Sequence, residues 1–285
     1  MVQYFDQHYP FQYVTLDRIL RGRTTAFWSV DSDFDEASPW TFDLQFAEAG
    51  EDEWTTVDSV DDEYSLVDTT RREYGAISES FYRVKLTSTD GGIYYSLPTN
   101  IPQNWTLRDL RIAEEIKRKE EILYSDRYSG LTFWILIRRN WGTVCDDCTD
   151  PISGEIKTSQ CLSCFGTGIE GGYFRPYETT GMIIGEANAI EQTGLGTGFT
   201  SQMVIRYCPL PTVMERDVII LSGFGTRFYV DRVETVAHIK GLPIIQHVTI
   251  KAAPVSDIIH DLNWRPTGVG SGYYGPTGAT GSDFE

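Results

Sequence analysis

The sequence predicts a mainly β, multidomain chain: an N-terminal β-sandwich, a helix followed by a four-cysteine module, and a small C-terminal β-barrel. Three observations carry this. Through the first hundred residues, apolar and polar side chains alternate in short segments, the spacing that puts every second side chain on one face of a strand. Near residue 106 the apolar period changes to about three and a half, the spacing of a helix. After two paired-cysteine motifs, short β-rich segments return and run to residue 262. With 285 residues, 41% of them apolar and 13% aromatic, the chain can fill a core in each unit. We place the units at residues 10–99, 104–177 and 178–262, with a Gly-rich tail at 263–285.

Charge and composition exclude several function classes. A net charge of −17, from 41 acids against 24 bases, repels phosphate backbones and argues against general nucleic-acid binding. No stretch approaches eighteen uncharged apolar residues, and Asp6, Asp17, Arg18, Arg21 and Arg23 interrupt the start, so we expect neither a membrane span nor a signal peptide. That places the chain in cytosol-like conditions. Five cysteines are too few for a disulfide scaffold at this length, and a clustered set points to metal.

In the front unit, residues 31–68 hold fourteen Asp or Glu and no Lys or Arg. Phe42, Leu44 and Phe46 alternate with polar neighbours, as do Tyr82, Val84 and Leu86. Further short segments at 26–30, 54–57, 64–67 and 93–97 lie between Gly-, Asp- and Glu-rich turns. On these residues, positions 10–99 resemble a fibronectin type III domain. The resemblance implies that Trp28 is the tryptophan buried on the second strand. It makes Phe42-Asp-Leu-Gln-Phe46 the third strand and Tyr82-Arg-Val-Lys-Leu86 the tyrosine-bearing sixth, with Leu66 at the corner Tyr82 closes. Such domains are binding modules or spacers without chemistry of their own. The acidic run and a linker marked by Pro98, Asn100 and Pro102 predict few contacts across the boundary, and hence a separable front domain.

After the linker, Thr106 is an N-cap with Asp109 three residues on, a box that satisfies orphan backbone donors. Leu110, Ala113, Ile116 and Leu123 form an apolar stripe, with six acids and six bases interleaved between Arg108 and Arg127. A surface helix with one core face fits this pattern, and so does a helix that contacts a partner. Leu-Thr-Phe-Trp-Ile-Leu-Ile at 131–137 is too short for a membrane and rich in β-formers, so it reads as a buried strand.

Cys145-Asp-Asp-Cys148 and Cys161-Leu-Ser-Cys164, twelve residues apart, are the strong chemical signature. Each C-x-x-C turn lets two thiolates approach a metal from one side while backbone amides bond the sulfurs, and two such knuckles complete a tetrahedron. A closed site of this kind suits structural Zn2+. A catalytic zinc keeps an open position and usually takes His or carboxylate ligands, and no His occurs between His8 and His238. The same four thiolates would also serve two reversible disulfides or an iron site.

Cys161-Leu-Ser-Cys164-Phe-Gly166-Thr-Gly168 is similar to the C-x-x-C-x-G-x-G repeat of J-domain co-chaperones. Those use four repeats and two zincs; this chain has one full repeat and one abbreviated one, so that assignment fails. The longer order resembles a family of virion structural proteins of tailed bacteriophages. It runs through Arg111-Ile-Ala-Glu-Glu-Ile116, Ile137-Arg-Arg139, the two knuckles, and Gly166-Thr-Gly168-Ile-Glu-Gly171-Gly172-Tyr-Phe-Arg-Pro176. Members pair a fibronectin-like front with a helix, a zinc-knuckle module and a β-rich tail domain, and the resemblance implies no enzymatic residues.

In the last third, segments at 181–184, 201–207, 217–221, 227–233 and 244–252 read as strands of a small barrel or sandwich. The run from Asp217 to Leu221, the turn glycines Gly223 and Gly225, and the segments Arg227-Phe-Tyr-Val230 and Pro243-Ile-Ile-Gln-His247 resemble the small barrels of phage connector or stopper proteins. The rhythm fits baseplate parts equally well. Gly194, Gly196 and Gly198 match no phosphate-loop spacing and read as a mobile loop. His238, His247 and His260 stand too far apart for a triad, and Cys208 reads as a buried small hydrophobe, not a fifth ligand. Glycine then recurs every third residue from Gly272 to Gly281, a collagen-like fragment too short to hold a triple helix.

Together these features predict a non-enzymatic structural component of a tailed-phage virion, in the neck or head–tail connector, assembled in the host cytoplasm. Its partners would be its own copies in a ring and other phage neck or tail proteins. The alternatives are a surface-binding or adhesion module and a baseplate component of the tail. The ring expectation rests on the apolar run at 131–137 and on Tyr173, Phe174 and Tyr177, more sticky surface than one small domain hides.

Overall fold

The computed structural model describes residues 10–17, 24–34, 38–48, 53–70, 80–100, 106–125, 129–150, 155–193, 196–222, 226–239 and 242–262. Pro102 of the expected linker and the whole Gly-rich tail lie outside these residues. The molecule is mainly β and multidomain, as expected.

Strands β1 (Phe11–Asp17), β2 (Thr24–Val30), β3 (Thr41–Glu48), β4 (Thr55–Asp61), β5 (Ser65–Asp68), β6 (Ser80–Thr87) and β7 (Ile93–Tyr95) build the front unit. They form two antiparallel sheets, β1-β2-β5 and β4-β3-β6-β7, a fibronectin type III-like sandwich. Alternation decides which side chains go inside. Phe42, Leu44, Tyr82, Val84 and Leu86 are fully buried, and Phe42 faces Leu86 while Leu44 faces Val84 across the β3–β6 ladder. The outer strands end the larger sheet safely: β4 is exposed and acidic, and β7 is three residues long. The corner differs from expectation. A buried phenol needs an acceptor, and Tyr82 Oη donates to the buried carboxylate of Asp68 at 2.8 Å, two residues beyond Leu66. Leu66 pairs with Ala26 instead.

Few contacts were expected between this sandwich and the rest, and the structure overturns that. All seven residues of β2 are buried, so the strand is covered on both faces. Ala26, Trp28 and Val30 join the sandwich core, while Phe27 meets Tyr177 edge-on at 5.8 Å and Ser29 Oγ accepts from Asn140 Nδ2 at 3.2 Å. Trp141 and Phe174, far along the chain, belong to the same core. Trp141 stacks on Trp40 with ring centroids 5.1 Å apart, and Phe174 lies 5.2 Å from Tyr64.

Helix α1 (Leu107–Leu123) begins as expected, with the Thr106–Asp109 capping box formed in both directions. Its buried face is not the expected stripe. Ala113 is buried, Ile116 is half-buried and Leu123 is exposed; the inward row continues through Lys117, Glu120 and the C-cap residue Tyr124. The side chain of Leu110 is outside the description. Polar partners on the neighbouring units explain the change. Lys117 Nζ bonds Asp17 of β1 at 2.6 Å, both side chains buried, and Glu120 accepts from Arg206 at 2.7 Å and from Tyr124 Oη at 2.7 Å.

Strands β8 (Gly130–Leu136), β9 (Tyr177–Thr193), β10 (Gly196–Tyr207), β11 (Val218–Leu221), β12 (Arg227–Ile239) and β13 (Leu242–Ala252) close a barrel in the order β10-β13-β12-β11-β8-β9. Phe133, Ile135, Ile205, Tyr207, Ile219, Phe228, Val248 and Ile250 fill it. The expected strand at 131–137 is thus, through Leu136, a barrel strand paired with β9 and β11, and not part of the cysteine unit as its position in the sequence implies. Its burial, with that of Tyr173, Phe174 and half-buried Tyr177 inside the chain, removes these side chains as an argument for ring contacts. Gly196 and Gly198 are not in a loop; they pair with Thr193 and Glu191 in the β9–β10 hairpin, while Gly194 is outside the described residues. Alternation at 201–207 showed where β10 meets the barrel, but not that the ladder continues past it.

Candidate metal centre

β8 and β9 are neighbouring antiparallel strands, so residues 137–176 form one long connection between them. A connection this long, whose described residues form no helix or strand of their own, needs something else to organise it. Its two limbs run side by side: Arg138 bridges Tyr173, Val144 bridges Ile169, and Cys145 N donates to Gly168 O at 2.9 Å. At the far end the four predicted residues come together. Cys145, Cys148, Cys161 and Cys164 are all buried, with their sulfurs within 4.8 Å of one another.

The geometry tests the chemistry. Zn–S bonds of about 2.3 Å place tetrahedral sulfurs about 3.8 Å apart. Cys145 Sγ and Cys161 Sγ stand 3.7 Å apart, and Cys148 Sγ and Cys164 Sγ 3.2 Å. A disulfide would need about 2.05 Å, and all four are free thiols. The four side chains have the geometry to hold one metal ion, and among the described residues they are the candidate ligand cluster.

Local backbone geometry makes each knuckle. Phe165 N returns to Cys161 O at 2.8 Å and Thr149 N to Cys145 O at 3.1 Å. Ser163 Oγ, on the second knuckle, donates to the Asp147 carboxylate on the first. Gly172 turns the chain with φ +66°, where a Cβ would lie 2.6 Å from Cys164 O; Gly166 has φ +76° and would place one 2.7 Å from Ser159 O. Electrostatics distinguish the thiols. Burial raises Cys145 and Cys148. Burial also opposes ionisation of Cys161, but the amides of Cys164 and Ser163 bond its sulfur and bring it down to about 7. A cation held among the sulfurs would favour the thiolate forms of Cys145 and Cys148.

The other candidates lie elsewhere. Cys208 is apart from the cluster, its thiol pushed up to about 12, chiefly by burial. His238 and His247 are on β12 and β13, and His260 Nε2 meets Pro254 O at 3.0 Å. Sequence reasoning missed Trp141 and assigned Phe174 to subunit contacts; both flank the cysteines and anchor the module in the sandwich. Two large aromatics beside a cysteine motif are the signal that could have found them. It also missed Asp217, buried, whose carboxylate accepts from Arg138 N and Met214 N at 2.7 Å each.

Comparison with models of known protein families and with curated proteins yields no match. Among solved structures, the chain is similar to one described as titin kinase and its flanking domains, at 10% identity and a TM-score of 0.26. That likeness covers 85% of this chain and 37% of the other, and is too slight to bear on chemistry.

Proposed function

We propose that this chain is a non-catalytic building block of a tailed-bacteriophage particle, seated in the neck or head–tail connector as a ring of its own copies, with one structural Zn2+ held by Cys145, Cys148, Cys161 and Cys164. The zinc reading is supported by the closed tetrathiolate, a cluster that among the described residues contains four cysteines and no His. In this role the metal is the core of a connection that carries too few apolar residues to fold without it, and it stiffens the joint between sandwich and barrel.

One observation carries the assembly reading. The β9–β10 ladder continues past the barrel: from Asn188↔Ser201 to Gly196↔Thr193, six residue pairs have no third strand on either side among the described residues. At about 3.4 Å per residue this ribbon reaches about 20 Å beyond the barrel wall. A two-stranded ribbon is marginal alone in water and offers open edges, so a neighbouring copy is the partner it fits. The other long hairpin, β12–β13, has a partner within the chain on one side, where Ile244 and Ile245 pack on Ala113 and Ile116 of α1.

Cryo-electron microscopy of the particle tests this. The expected result is a closed ring of this chain around the tail axis, with each ribbon against the next copy. Isolated copies on the particle exterior would overturn it and favour adhesion; a position in the tail tip would favour the baseplate.

A further inference from the structure

Between the second knuckle, the barrel and the 3-10 turn at Ile258–Asp261 lies a cavity of about 410 Å³ that the metal centre does not use. Its size is that of a small-molecule site. Arg138 enters the wall from the end of β8, Arg216 from the turn before β11, and Ser159, Gln160 and Ser256 bring hydroxyl and amide groups.

Other arginines of the chain are taken up inside it: Arg118, Arg206 and Arg232 by carboxylates, Arg83 and Arg139 by neutral side-chain or backbone oxygens and aromatic rings. Arg138 and Arg216 form no ion pair among the described residues, and the Arg138 guanidinium makes a single long bond, 3.4 Å to Gly166 O. The acid in the wall, Asp257, is already engaged: it accepts from Tyr229 Oη and from Ile259 N, each at 3.0 Å. Arg216 stands at the cavity mouth in a left-handed turn, φ +73°, and presents a fork of donors there.

We infer that this cavity binds a small molecule through an oxyanion group, a carboxylate or a phosphate. Arg138 and Arg216 grip the oxyanion, the flanking hydroxyls and amide serve its other oxygens, and the rings of Phe165 and Tyr229 face the rest of the ligand.

Isothermal titration calorimetry of the full chain at low ionic strength, with inorganic phosphate and with citrate, each against chloride of equal ionic strength, tests this. Saturable one-to-one binding of either probe is expected; stronger phosphate binding identifies a phosphate ligand, and stronger citrate binding a carboxylate. Arg216→Asn keeps the left-handed turn, and Arg216 is exposed, so this variant folds; it should bind about tenfold more weakly, as should Arg138→Gln. No saturable binding beyond the chloride control, or unchanged affinity in both variants, would overturn the assignment.

Discussion

Replacing Trp141 by Ala reports on whether the metal module and the front sandwich are one cooperative body. By sequence the residue belongs to the β8–β9 connection; by packing it belongs to the sandwich, 3% exposed, with ring centroids 5.1 Å from Trp40, 5.4 Å from Phe42 and 4.7 Å from Phe174. Removing a buried indole costs about 3–5 kcal/mol, a cavity term included. That is a large part of the roughly 5–15 kcal/mol that holds a domain. A chain of several units need not unfold in two states, so the informative assay is native-state hydrogen exchange followed by mass spectrometry. Protection should fall in β2 and β3 as well as in residues 137–176, by about 3 kcal/mol. Trp54→Ala is the control: its half-buried ring lies under Arg83, 4.1 Å from centroid to guanidinium carbon, and losing that contact costs about 1 kcal/mol. If the Trp141→Ala effect stays within residues 137–176, or falls below about 1 kcal/mol, the shared core is refuted.

Three further perturbations follow from the same contacts. Lys117→Met takes the cation from the buried Asp17 carboxylate and should destabilise the chain by about 3–5 kcal/mol, whereas the double change with Asp17→Leu should recover most of it in a urea melt; equal losses would show that the ion pair is not the tie. Burial raises Asp217 to about 7, the amides of Arg138 and Met214 opposing, so between the unfolded value near 4 and about 7 the native state holds the extra proton and stability falls as pH rises. That loss approaches about 4 kcal/mol by pH 8. Asp217→Asn should flatten this slope between pH 4 and 8, and an unaltered slope would assign it to other groups. Gly172→Ala forces a Cβ against Cys164 O in a left-handed turn and should lower metal retention against a chelator; retention equal to the parent would mean that the second knuckle tolerates the shift.

How much was legible in the sequence depended on whether the signal was local. The β3 and β6 alternation, the Thr106 cap and the cysteine spacing are set by neighbours in the chain, and the structure places those residues as their patterns imply. β1 was not singled out, because Phe11-Gln-Tyr-Val-Thr-Leu-Asp alternates weakly and is recognised by its pairing with β2. Lys117 and Glu120 looked like solvated helix charges; their partners are Asp17, 100 residues earlier, and Arg206, 86 residues later, and no window along the chain contains both. The buried face of α1 was therefore misplaced, and the separability of the front domain with it. An acidic run describes what one surface shows to solvent, while Phe27, Ser29 and Asp17 show what another surface leans on.

Everything in the account turns on the four thiolates sharing one cation. Metal analysis of the full chain purified without added metal, with X-ray absorption at the metal edge, measures this directly. The account predicts close to one zinc per chain, bound by four sulfurs at about 2.3 Å, and loss of protection across residues 137–176 in Cys161→Ser. A folded chain with no bound metal and four titratable thiols, or with Cys145 oxidised onto Cys161, would contradict it.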